Sequence, residues 1–192
     1  MVRNPERRTA LVDAAIEVLA RDGARGLTFR AVDAAAGVPG GTASNYFANR
    51  DDLLAQVTGR IHLSIAPDPD EVDVVMAAPR TRELVGELMR WINRRVAENR
   101  TGYLAMMELR LEATRRPELQ AELTRVMRET FEGNLRFHEG NGLPGDRDAV
   151  TLMYLAMTGL MVEQLTLPGV VPEEGTDALI SVLVERAIGQ EG

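Results

Sequence analysis

The sequence predicts an all-α fold of about nine helices: an N-terminal three-helix, helix-turn-helix head followed by a larger helical body. Three observations carry this. Apolar residues recur at i, i+3, i+4 and i+7 in one segment after another. No segment has the strict alternation of a half-buried strand. A short polar segment, Gly40 to Phe47, follows a glycine-containing turn of about three residues, which is the layout of a helix-turn-helix.

The bulk properties agree. At 192 residues, with 45% hydrophobic and 27% charged residues and a mean hydropathy of -0.14, the chain is long enough for one domain or two small ones with a buried core. It has no run of 18 apolar residues to cross a bilayer. No apolar signal-peptide core follows the polar stretch from Met1 to Leu11, so a cytoplasmic location is expected. Cysteine is absent, which excludes disulfides, thiol nucleophiles and cysteine-based metal centres.

The first helix is expected over Arg8 to Arg21, with Leu11, Ala14, Ala15, Val18 and Leu19 on one face. Asp22-Gly23 closes it, because glycine accepts a left-handed cap without a Cβ penalty. Thr28 offers its hydroxyl as N-cap to a second helix, Phe29 to Ala36, whose Phe29, Val32, Ala35 and Ala36 face inward. Gly37-Val38-Pro39 forms the turn. In the third segment only Ala43 and Phe47 face inward, while Thr42, Ser44, Asn45 and Tyr46 crowd hydrogen-bonding groups into one and a half turns. Such a helix suits a major groove, and it also suits an ordinary surface turn.

Asp51-Asp52 opens a fourth helix through Leu53, Leu54, Val57 and Ile61 to Ile65, the acids favouring its positive end. Pro67-Asp68-Pro69-Asp70-Glu71 interrupts it, and the stretch to Pro79 reads as an exposed acidic loop or weak helix. Arg80 to Arg100 is helical through Leu84, Leu88, Trp91, Ile92 and Val96. Tyr103 to Thr114 is apolar nearly all round and is expected in the middle of the body. Pro117 starts a helix through Leu119, Leu123, Val126, Met127, Phe131 and Leu135. Asp146 caps Ala149 to Leu167, which is apolar on more than one face, and Asp177 to Ile188 is the last amphipathic helix.

The net charge of -7 speaks at first against a nucleic-acid partner, but it is unevenly placed. Residues 1–60 hold eight arginines against seven acids, for +1, and residues 61–192 carry −8. All 22 basic residues are arginines, whose forks suit bidentate phosphate contacts. A nearly neutral head predicts modest nonspecific affinity, with binding dependent on placed contacts.

The residues Leu11-x-x-Ala14-Ala15, Gly23, Leu27-Thr28-Phe29-Arg30-x-Val32, Ala35-Ala36-Gly37-Val38-Pro39-x-Gly41-Thr42 and Tyr46-Phe47-x-x-Arg50-x-x-Leu53-Leu54 resemble the DNA-binding domain of the tetracycline-repressor (TetR) family of bacterial transcription regulators. The resemblance spans about residues 7–55 without gaps. It implies a helix-turn-helix DNA-binding domain at 1–49, a linking helix at 50–66 and a helical regulatory and dimerisation domain at 67–192. By the same resemblance Thr28, Arg30, Tyr46 and Arg50 contact phosphate, Gly41 and Thr42 open the recognition helix, and Ser44 and Asn45 face the groove, where asparagine pairs bidentately with adenine. Two departures stand out. Pro39 occupies a position where the family commonly has serine, removing a side-chain N-cap, and Ser44 stands where an aromatic residue is frequent.

The resemblance further implies a homodimer through the last two helices, about 149–167 and 177–188. Such a dimer binds a palindromic double-stranded operator as a repressor and is released by a small-molecule effector, which spreads the two heads through the Leu53–Ile61 helix. Trp91, Arg95, Tyr103, Met107, Glu108 and Phe131 are the candidate effector contacts, although residues of these types at helical spacing are more often core or salt-bridged surface. Glu108 interrupts the most apolar helix, and an arginine such as Arg95 would pair with it. No cofactor and no membrane partner is expected. The two histidines, His62 and His138, lack neighbours at metal-ligand or triad spacing, and no phosphate-binding glycine loop is present, so neither a metal site nor an enzyme is expected. A helical adaptor without DNA binding is the remaining alternative.

Overall fold

The computed structural model describes residues 4–189, which hold ten α-helices, one 3-10 turn and no strand. Helix α1 (Pro5–Gly26) starts where the Asn4 side chain accepts the N–H groups of Glu6 and Arg7. Its Leu11, Ala14, Ala15, Val18 and Leu19 are all buried, as the periodicity requires. Helical geometry breaks at Gly23, which has φ 70°, where the sequence places the end of the helix. A turn over residues 24–26 then leads to α2 (Phe29–Ala35), capped by the Thr28 hydroxyl accepting from the Ala31 N–H. Val32 is buried on α2, but Ala35 is exposed, and its place inside is taken by Asp33.

Helix α3 (Ala43–Tyr46) is a single turn, shorter than the expected Gly40 to Phe47. Helix α4 (Arg50–Ile65) is capped by Asn49, with Asp51 and Asp52 in its first turn. The acidic segment left between loop and weak helix forms α5 (Pro69–Val75), capped by Asp68, and accounts for a tenth helix beside the nine expected. The rest follow the sequence closely: α6 (Arg82–Glu98), α7 (Arg100–Ala113), α8 (Pro117–Gly140), α9 (Arg147–Thr166) and α10 (Thr176–Ile188). Asp146 caps α9 through the Ala149 N–H, as read from the sequence.

The chain forms two compact units, Met1–Ala66 with Asn99–Val126 and Pro67–Glu98 with Met127–Gly192. Helix α7 belongs with the N-terminal helices because its buried side, including Ala105, Met106 and Leu109, is laid against α1 and α4. It is therefore not the central helix of the body, and Leu111 on its other side is exposed.

In the second unit Leu84, Val85 and Leu88 of α6, Leu135 of α8, Val150 and Met153 of α9 and Val184 of α10 form one apolar cluster, with Trp91 and Phe131 partly buried against it. By length and composition α9 is apolar enough to cross a bilayer. Its Ala149, Val150, Met153 and Met157 are buried within the unit. The opposite stripe, Leu152, Leu155, Gly159 and Val162, is exposed, as are Leu179 and Val182 of α10. Residues 1–3 and 190–192 of the expected domains lie outside the described residues.

Candidate nucleic-acid interface

The short helix α3 has too few residues to hold itself together, since a single turn fixes backbone dihedrals for almost no internal hydrogen bonds. The first unit supplies what is missing at both ends. Beneath its start, the Asp33 carboxylate of α2 accepts the Gly41 N–H through Oδ2 and the Ala43 N–H through Oδ1, each at 2.7 Å. At its end, the Arg8 guanidinium of α1 donates to the Tyr46 carbonyl at 2.9 Å and to Gln56 Oε1 at 2.6 Å. An anion at the N-terminus and a cation at the C-terminus both oppose the helix dipole in the favourable sense. Below, Ala43 and Phe47 are buried as expected, and the Phe47 ring lies 6.3 Å from that of Phe29 and 5.7 Å beneath the Arg8 guanidinium.

What α3 turns outward is polar. Ser44 and Asn45 are exposed, Thr42 and Tyr46 half-buried. The Ser44 hydroxyl and the Asn45 amide both donate to the Gly41 carbonyl, at 2.8 and 3.0 Å. An asparagine amide carries two N–H donors and one acceptor oxygen, so one donor is used internally and a donor–acceptor pair is left. That pair is what adenine requires in the major groove. Gly41 itself has φ 88° and nothing within 4 Å of where a Cβ would stand, so this position needs glycine for its backbone conformation rather than for space. Thr28 and Arg30, at the start of α2, are exposed on the same unit.

Arg50 also has partners within the unit. Its guanidinium donates to the Ala24 carbonyl and lies 3.5 Å from the Glu112 carboxylate of α7, so it is engaged inside the unit. Glu112 also accepts from Arg116 at 2.6 Å, and Arg116 reaches Asp51 at 2.7 Å. The Arg116 hydrogen bond, aided by the charge of Arg50, holds the Glu112 carboxyl below its ordinary value of 4.5, against the opposing effect of burial. A carboxylate depressed in the folded state contributes stability that is complete above the unfolded value and is lost as pH falls through the folded one. The melting temperature of the wild type should therefore fall on acidification below about pH 4.5, and Glu112→Gln should remove part of that slope. Identical pH profiles for the two proteins would refute it.

The six effector candidates are not gathered in one unit. Tyr103, Met107 and Glu108 lie in the first; Trp91, Arg95 and Phe131 lie in the second. Glu108 accepts the Ala24 N–H at 3.1 Å, and a Cβ on Gly23 would approach its Oε2 to 3.1 Å, so Glu108 seals the break in α1. Arg95 forms an ion pair with Glu71 at 2.8 Å and lies 5.2 Å over the Trp91 ring. The ring of Phe131 stands 5.0 Å from that of Tyr154. His138 is buried, its Nε2 2.9 Å from the Pro144 carbonyl.

Sequence reasoning missed Asp33 and Arg8. A carboxylate beside a buried valine in a short helix carries no periodic signal, and an arginine near the chain start looks like solvated charge.

Comparison with known proteins places this geometry. Residues 11–57 match the family described as "Bacterial regulatory proteins, tetR family", and residues 80–189 match "Tetracyclin repressor-like, C-terminal domain". Among solved structures, the multidrug binding protein EbrR complexed with imidazole is 27% identical, with 98% of each chain covered and a TM-score of 0.68. EbrR complexed with ethidium is 30% identical over 94% of this chain and 99% of that one, with a TM-score of 0.66. A member of the TetR family from Streptomyces coelicolor A3 is 27% identical over 97% and 100%, with a TM-score of 0.71. No match was found among curated proteins.

Proposed function

The chain belongs to the tetracycline-repressor (TetR) family of bacterial regulatory proteins, and from that premise we propose that it is a homodimeric repressor which holds a palindromic operator and releases it when a small molecule binds. Members of this family are DNA-binding transcriptional regulators and not enzymes, they act as dimers, and small-molecule ligands are bound within the family. An adaptor without DNA binding no longer accounts for the chain.

The observation that carries the reading is α3, a one-turn helix fastened at both ends and exposing Ser44 and Asn45. Phosphate contacts fix register and base contacts fix sequence. We assign Thr28, Arg30, Thr42, Tyr46 and the Gly41 backbone to the first task and Ser44 and Asn45 to the second. Arg50 is left out, since Ala24 and Glu112 already hold it. In the dimer two such helices enter successive major grooves about 34 Å or a multiple apart.

The exposed apolar stripes of α9 and α10 support the dimer, because exposed apolar patches of that kind mark interfaces. The effector is a small aromatic molecule, a reading supported by EbrR, solved with ethidium and with malachite green. The aromatic side chains Trp91, Phe131 and Tyr154 of the second unit are its contacts, and Arg95 is the polar group beside them. The effector favours a dimer with the wrong spacing of heads, withdrawing the DNA-competent population. No cofactor is needed, and the protein works in the cytoplasm.

The test is retardation of the protein's own upstream DNA at low salt, where absence of any shift would refute the reading. Tyr46→Ala should weaken every sequence alike. Asn45→Ala should lower discrimination at one base position by about 1–3 kcal/mol. Equal losses on specific and random duplexes from Asn45→Ala would overturn its assignment as a base reader.

A further inference from the structure

The Gly41–Thr42 peptide carries the carbonyl on which the two reading side chains converge, and it is flanked by two peptides that Asp33 holds. Asp33 holds the Gly41 N–H in the peptide before it and the Ala43 N–H in the peptide after it, and the Gly41 carbonyl between them receives both Ser44 and Asn45. We propose that Asp33 is the residue that sets DNA sequence preference without touching DNA, by fixing the peptides on either side of the carbonyl on which the two reading side chains are oriented. The inference rests on the DNA-binding reading given above and names the positioning residue behind it.

Three features support it. Asp33 is 2% exposed, so this carboxylate is not there to meet solvent or a partner. Its two oxygens take two different N–H groups of the α3 turn, Gly41 and Ala43, so the turn is fixed in rotation as well as in place. Among the described residues no other side chain caps the start of α3: Thr42 precedes it without a side-chain cap, and its hydroxyl donates backwards to the Pro39 carbonyl. Proline at 39 has no side-chain oxygen and no N–H. The cap that an adjacent serine would supply is thus delivered from the neighbouring helix. Removing the carboxylate frees Gly41, and the amide plane of Asn45 loses its reference.

The structure also supplies a repair. A serine at position 39 would place a hydroxyl two and three residues before the Gly41 and Thr42 N–H groups, the spacing at which serine side chains accept backbone N–H groups in turns. The experiment first enriches a random duplex library on the full-length wild-type protein. Failure to enrich any sequence would refute DNA reading itself rather than the role of Asp33.

With an enriched duplex and a scrambled one in hand, Asp33→Ala is expected to lose about tenfold in affinity for the enriched duplex, the typical scale of a lost cap. Its affinity for the scrambled duplex should change little, and its own enrichment should show a flattened adenine preference at the Asn45 position. Pro39→Ser in the Asp33→Ala background should recover most of the loss, while Pro39→Ser alone stays near wild type. Should Asp33→Ala not fold, Asp33→Asn, which keeps one acceptor oxygen, is read by the same criteria. Unchanged preference in the substituted protein, or equal loss on both duplexes with no recovery by Pro39→Ser, would overturn the proposal.

Discussion

Leu155→Glu should convert the protein to a monomer and abolish tight operator binding. Leu155 is 59% exposed in the single chain and lies on the α9 stripe with Leu152, Gly159 and Val162. In a two-fold dimer the same residue occurs on both sides of the interface, so one substitution inserts two carboxylates. A central apolar contact is typically worth about 2 kcal/mol or more. Losing it twice raises the dimer dissociation constant by roughly a thousandfold. Folding should be nearly unaffected, because the buried side of α9, with Val150 and Met153, is untouched. Sedimentation shows the change in mass, and retardation assays should leave only weak half-site binding. A dimer that persists at micromolar concentration would mean that this stripe is not the interface.

Phe47→Ala should cost about 3–5 kcal/mol of folding free energy, the usual penalty for emptying a buried aromatic site. Against a total of about 5–15 kcal/mol for a domain, that leaves the head largely or partly unfolded. The residue is 1% exposed, stacks obliquely on Phe29 and forms the floor under the Arg8 guanidinium. Losing the ring therefore also loosens the arginine that holds the Tyr46 carbonyl. DNA binding should disappear together with urea stability, whereas Asn45→Ala should change DNA selection at nearly wild-type stability. A Phe47→Ala protein destabilised by less than 1 kcal/mol would show that the ring fills no essential space.

Much of this architecture could be read before any coordinates. The α1 periodicity, the stop at Gly23 and the caps at Thr28 and Asp146 were all visible, because each is a local rule linking a residue type to a nearby backbone group. Ala43 and Phe47 were visible for the same reason. What local rules do not contain is the identity of the partner. The apolar pattern of α7 announced burial, but only tertiary contact assigns that helix to α1 and α4. Arg50 and Arg95 announced ion pairing or phosphate, and their actual partners, Glu112 and Glu71, lie 62 and 24 residues away. Asp33 carries no such signal, because a buried carboxylate is rare and only the two N–H groups above it justify its place.

The break in α1 has a further consequence. The Ala24 N–H is given to Glu108 of α7, and the Ala24 carbonyl accepts from Arg50 at the start of α4. An amide tied to a side chain of another helix exchanges its hydrogen when that helix departs. Ala24 is thus a one-residue gauge of α7: its amide signal follows whether Glu108 is in place, and it can be watched in solution without a label on either helix.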